Sequence, residues 1–177
     1  MAISGFNAPE WFQSALAAIL SGGFCCGLYP TNSADINAYI MNDSKAEILV
    51  VEDDATLRKM LPVEFASSFH QSPIICISET LLFQIIDKIP TLKKIIQYRG
   101  EPSHPGVLSW REVVSLGSSN ERSELDSRLR QRQTEMAVNQ CCCLVYTSGT
   151  TGTPKGVMLS HDNILFSAYW EEQHFRK

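Results

Sequence analysis

Apolar residues recur at helical spacing in the stretch NAPEWFQSALAAILSGG. Trp11, Phe12, Ala15, Leu16, Ile19 and Leu20 fall on one stripe, which predicts an amphipathic helix. Asn7 stands where a cap is expected, Glu10 occupies the reciprocal capping-box position, and Gly22 or Gly23 ends the run. FCCGLY then reads as a short buried strand, and Ser33 starts a second helix with Ile36, Tyr39 and Ile40 on one face. EILVV, residues 47–51, is a continuous apolar run, the pattern of a strand covered on both faces of a parallel sheet. ATLRKML reads as helix and KKIIQY, 93–98, as strand, while SWRE, 109–112, is a capping box that opens a short helix. Residues 118–140 are polar and charged, a surface helix or a linker whose charges face solvent. CCCLVY, 141–146, is the last strong strand, and after GVMLSH Ser160 is placed to cap a final helix carrying Ile164, Leu165 and Phe166. Residues 62–86 are apolar without a clear period: PIICI suits a strand and ETLLFQII a helix, and neither reading is decided.

Strands that alternate with helices predict a layered α/β fold with a mostly parallel sheet. Composition agrees: 177 residues, 44% apolar and 19% charged, describe a globular chain long enough for a packed core. The net charge of −4, with no basic cluster in sequence, argues against a nucleic-acid partner. Six cysteines stand at 25, 26, 76, 141, 142 and 143, none at CxxC spacing and most inside strand-like runs. They read as reduced structural thiols in a reducing compartment. The apolar stretch 11–27 is too short and too interrupted to cross a bilayer, and no signal peptide is evident. A cytoplasmic location is expected, with peripheral association at the endoplasmic reticulum membrane kept as an option.

One loop carries the chemistry. YTSGTTGTPKG, 146–156, sets hydroxyls and glycines around a single cation. Gly149 and Gly152 let the backbone take positive φ and approach a ligand closely. Successive N–H groups in such a turn converge on an anion. Thr147, Ser148, Thr150, Thr151 and Thr153 add hydroxyl donors, Lys155 supplies a compact ammonium, and Pro154 stiffens the approach to it. A polyphosphate suits this loop, most simply the β- and γ-phosphates of ATP. The nucleoside-triphosphatase loop G-x-x-x-x-G-K-[ST] does not match: Pro154 precedes the lysine and Gly156 follows it. Other polar residues read as structural. His161 suits the first turn of the last helix, Asp53 and Asp54 the start of another, and Tyr146 packing. His70 and His104 have no ligand companion at metal spacing.

YTSGTTGTPKGVMLSH resembles the signature loop of the adenylate-forming enzymes. The flanks GFNAPEWF, GLYPTNSA, KAEILVVEDD, LKKIIQY and NQCCCLVY resemble the bubblegum branch of long-chain acyl-CoA synthetases, over most of residues 3 to 164 apart from 62–86. The resemblance implies part of the layered α/β N-terminal large domain of that family. It implies a ligase that joins a fatty acid to coenzyme A, turning ATP into AMP and pyrophosphate through an acyl-adenylate, with Mg²⁺ assisting. It places the loop from Thr147 to Lys155, Ser148, Gly149, Gly152, Thr153 and Pro154 included, on the departing pyrophosphate. Thr147, Thr150 and Thr151 would bond the phosphates, Lys155 would neutralise charge, and Thr150 would contact Mg²⁺. The family's later motifs, a Y-G-x-T-E segment, a ribose-binding Asp and a C-terminal Lys, do not occur in these 177 residues. The expectation is therefore a partial AMP-binding domain over 1–177, with an atypical insert at 62–86 and a divergent tail at about 165–177. No catalytic residue is assigned within it, little ligase activity is expected of it alone, and exposed apolar edges are expected to make it prone to aggregate. The alternative is a non-catalytic truncated isoform that binds nucleotide weakly or serves only as an interaction fragment.

Overall fold

A computed structural model of the chain describes residues 1–60, 88–118, 122–147 and 152–175. The expected insert at 62–86, with His70 and Cys76, lies outside the described residues. The strands are β1 (Ala2–Ser4), β2 (Cys25–Leu28), β3 (Ile48–Val51), β4 (Lys94–Gln97), β5 (Val107–Ser109), β6 (Cys141–Thr147) and β7 (Lys155–Ser160). The helices are α1 (Pro9–Leu20), α2 (Ala34–Asp43), α3 (Asp54–Arg58), α4 (Trp110–Leu116), α5 (Arg122–Glu135) and α6 (His161–Phe175). The strands form one sheet in the order β5-β4-β3-β1-β2-β6-β7. Every neighbouring pair is parallel except β6 and β7, which are antiparallel. The expected layered α/β fold with a mostly parallel sheet is what forms.

Two apolar layers hold the sheet. On one face Ile40 and Met41 of α2, with Leu57 of α3, cover Ala2, Cys26, Leu49 and Val51. On the other, Ala15 and Ala18 of α1 cover Ile3, Cys25, Val50 and Ile96, joined by Trp110 and Val113 of α4. Each fully buried large aliphatic side chain contributes about 1.5–3 kcal/mol relative to exposure. EILVV reads as an unbroken apolar run because alternate residues of β3 enter opposite layers.

The ends of the helices follow local chemistry. Gly22 takes φ +82°, its N–H reaches Ile19, and the Gly23 N–H reaches the Ala18 carbonyl, so both glycines close α1. At the other end the expected cap is corrected. Ala8, not Asn7, occupies the N-cap, with no side-chain bond, and Glu10 closes no capping box. Pro9 has no N–H to satisfy and its ring already fixes a helical φ, so the helix starts there without a side-chain cap. Ser33 caps α2 by accepting from the Ile36 N–H, and Ser109 with Glu112 forms the complete capping box of α4. Asp53 caps α3 by accepting from the Thr56 N–H at 2.7 Å, so this acid and Asp54 serve a helix start.

Two features escaped pattern reading. β1 and β5 are three residues each, too short to display a period, although all of β1 is buried and it sits between β3 and β2. GVMLS, 156–160, belongs to strand β7 rather than to the approach to a helix. In the polar segment 118–140 the surface-helix reading is the one realised: α5 has no buried residue, and its Arg132 reaches the Ser21 carbonyl at the end of α1.

Candidate functional site

The Gly/Thr loop joins β6 to β7. Thr147 and Lys155 are directly paired in the antiparallel ladder, so the loop leaves and returns at one point on the sheet. Ser148, Gly149, Thr150 and Thr151 lie outside the described residues. Of the remainder, Gly152 takes φ +106°, a left-handed conformation that favours glycine, and a Cβ there would meet none of the described residues within 4 Å. Thr153 and Lys155 are exposed and Pro154 half-buried. Among the described residues Lys155 has no ion-pair partner. The structure thus brings together the two ends of the candidate loop and leaves its cation facing solvent.

Below the loop the hairpin is anchored. Tyr146 is buried, and its hydroxyl donates to Asp43 Oδ2 at 2.5 Å, tying β6 to the last residue of α2. Burial, followed by this bond to a carboxylate, raises the phenol above its ordinary pKa. Gly156 pairs with Tyr146, and a Cβ on it would stand 3.0 Å from the tyrosine ring. A side chain at 156 would push the ring against its anchor. Tyr146 is therefore packing, as its sequence position implied, but Asp43 and Gly156 were missed. Reading GVMLS as a strand would have set Gly156 opposite Tyr146. His161 is the first residue of α6, and Ser160 caps that helix by accepting from the Asn163 N–H at 3.2 Å.

A second place was open to a ligand. Strand order reverses around β1, and small molecules often bind beyond the carboxyl ends of strands at such a point. Ser4, Gly5, Tyr29, Glu52 and Lys59 line a cavity there of about 20 Å³, room for about one water molecule. Glu52 already holds Arg99 and the Phe6 N–H, and the Tyr98 hydroxyl donates to the Phe6 carbonyl. Among the described residues that crevice has no space for a nucleotide.

The profile of the AMP-binding enzyme family matches residues 1–177. The chain belongs to that family. It is 42% identical over 167 residues to the human long-chain-fatty-acid–CoA ligase ACSBG2, covering 94% of this chain and 21% of that protein. It is 41% identical over 168 residues to the Xenopus laevis ACSBG2, covering 94% and 19%. The chain thus spans about a fifth of the length of the curated relatives it matches. Its fold is that of the anthranilate CoA ligase AuaEII (TM-score 0.60, 22% identity, 95% of this chain and 26% of that one). It is also that of a luciferase-like enzyme from Zophobas morio (TM-score 0.63, 16% identity, 96% and 32%). Among the described residues of this AMP-binding chain, no group of three His, Cys, Asp or Glu is placed to hold a metal ion. Nor, among them, is any helix long and apolar enough to cross a membrane.

Proposed function

We propose that the chain is the portion of an ATP-dependent long-chain fatty acid–CoA ligase that carries the phosphate-binding loop. One observation supports this above the others: a Gly/Thr/Lys loop whose ends, Thr147 and Lys155, are pinned side by side at the tip of a hairpin, in a chain 41–42% identical to such ligases. In the reaction a fatty acid carboxylate attacks the α-phosphate of ATP and charge accumulates on the departing pyrophosphate. Fixed amide dipoles, hydroxyls and one ammonium, positioned before the reaction begins, stabilise that charge without reorganising. Thr147, Ser148, Thr150, Thr151 and Thr153 supply the hydroxyls, Gly149 and Gly152 the close backbone approach, and Lys155 the ammonium. Mg²⁺ and coenzyme A belong to the complete reaction, with Thr150 as the loop's contact to the metal. The remaining catalytic groups and the fatty-acid tunnel are assigned to other parts of the longer enzyme. A cytoplasmic site of action, with peripheral membrane contact for an insoluble substrate, suits that reaction.

The test is a titration of the 177-residue chain with ATP, followed by the fluorescence of Trp11, Trp110 and Trp170. Saturable binding is expected, weakened about 10–100-fold in Lys155→Ala, the loss of one charge-assisted hydrogen bond. A flat titration to millimolar ATP, or equal binding by the variant, refutes the loop assignment. With ATP, Mg²⁺, palmitate and coenzyme A the same chain is expected to form no thioester; robust thioester formation would show that the catalytic groups are already present.

A further inference from the structure

The parallel register of β2 on β6 sets Cys25 directly opposite Cys143. Directly registered residues on neighbouring parallel strands point to the same face, and both sulfurs belong to the layer beneath α1. Adjacent strands lie about 4.8 Å apart, inside the range of about 4.4–6.8 Å between Cα atoms that a disulfide spans. Cys25 is buried, whereas Cys143 is half-buried and open to small solutes.

The other described thiols are placed differently. Cys26 faces the opposite layer, against α2. Cys142 is buried and directs its thiol to the Leu159 carbonyl, and the Cys141 thiol meets the Cys143 carbonyl. The two members of the registered pair also differ in acidity. The hydrogen bond from Cys25 lowers Cys143 below the ordinary thiol value, while that same bond, then burial, raises Cys25. One sulfur is thus an accessible nucleophile and its neighbour a protonated partner.

We propose that Cys25 and Cys143 form a reversible dithiol–disulfide site that cross-links β2 to β6 on exposure to a hydroperoxide. The Cys143 thiolate attacks the terminal peroxide oxygen; the O–O bond breaks, hydroxide (from hydrogen peroxide) or alkoxide (from an organic hydroperoxide) leaves and takes up a proton, and Cys143 becomes a sulfenic acid. Cys25 loses its proton and attacks the Cys143 sulfur. The S–S bond forms, the S–O bond breaks and water leaves. Two thiols are oxidised by two electrons and one hydroperoxide is reduced. The bond would fasten β6 to the sheet four residues before Thr147, at the root of the phosphate loop, and it stands whether or not that loop binds ATP.

The experiment uses the whole chain, reduced, freed of reductant and exposed to stoichiometric hydrogen peroxide. Remaining thiols are then alkylated and the peptides mapped by mass. The expected result is the loss of two hydrogen atoms and one cross-linked peptide joining Cys25 to Cys143, reversed by dithiothreitol. In Cys25→Ala, dimedone should label Cys143 several-fold more than in the unaltered chain, because the sulfenic acid has no partner to consume it. Any of three outcomes in the unaltered chain overturns the proposal: cross-links that use other cysteines, Cys143 carried to sulfinic acid without a cross-link, or both thiols fully alkylatable after peroxide.

Discussion

Single residues fix the geometry around both ends of the sheet. Gly5 takes φ +153°, and a Cβ there would stand 2.2 Å from the Tyr98 hydroxyl and 2.9 Å from Glu52 Cβ. Gly5→Ala is expected to cost about 2 kcal/mol or more in equilibrium unfolding, the combined effect of a strained backbone and overpacking. Adding Tyr98→Phe removes the nearest clashing atom, so the double variant should lose less than the sum of the two single changes. On the loop side, Tyr146→Phe removes the donor to Asp43. It should lower stability by about 1 kcal/mol, read as a shift in the urea midpoint at unchanged slope. Neither role was legible in the sequence. A glycine's need for a particular φ is local, but the atom that would collide with its Cβ belongs to a residue about ninety positions away in the case of Gly5.

At the scale of elements, the C-terminus of α2 closes with the bonds seen at α1. The Lys45 N–H reaches Asn42 and the Ala46 N–H reaches Met41, but the left-handed position is filled by Lys45 at φ +51°. Lys45→Gly should raise stability by about 0.5–1 kcal/mol, detected as a higher thermal midpoint, because a lysine in that conformation is strained and a glycine is not. Elements were legible where the pattern was long enough to count. β3 announced itself as an unbroken apolar run, α1 and α2 through helical periodicity, and the caps Ser33, Ser109 and Ser160 through side-chain chemistry. Three-residue strands contain no full period, so β1 and β5 were invisible. β7 was hidden for another reason: as an edge strand with Val157 and Met158 exposed, it lacks the apolar alternation that burial imposes. The two ends of the candidate loop were legible as residue types, whereas their side-by-side placement depends on that hidden strand.

Across the whole molecule, apolar exposure is uneven. β7 and α6 present Met158, Leu165, Phe166 and Tyr169 to solvent, in keeping with the apolar edges expected from the sequence. Stability should also respond to pH through His104, which is buried in the connection between β4 and β5 with neither ring nitrogen hydrogen-bonded to a described residue. Desolvation lowers its pKa, partly offset by Asp54 and reinforced by Arg58. The folded state then binds its proton less readily than the unfolded chain does. Stability is complete above the ordinary histidine pKa of about 6.5 and declines as pH falls from there toward the folded value. His104→Phe should flatten this part of the stability-versus-pH curve, measured by chemical unfolding at a series of pH values.

The sheet order also sets a schedule for synthesis. β1 and β2 leave the ribosome before the other strands of the sheet, yet the outer edge of β2 pairs with β6, roughly 120 positions later. At about 5–20 residues per second of translation, that edge stays unpaired for roughly 6–24 seconds. During this interval the nascent chain offers a bare apolar strand to whatever is near, which makes the emerging polypeptide, more than the finished one, a client for chaperones that hold strand edges.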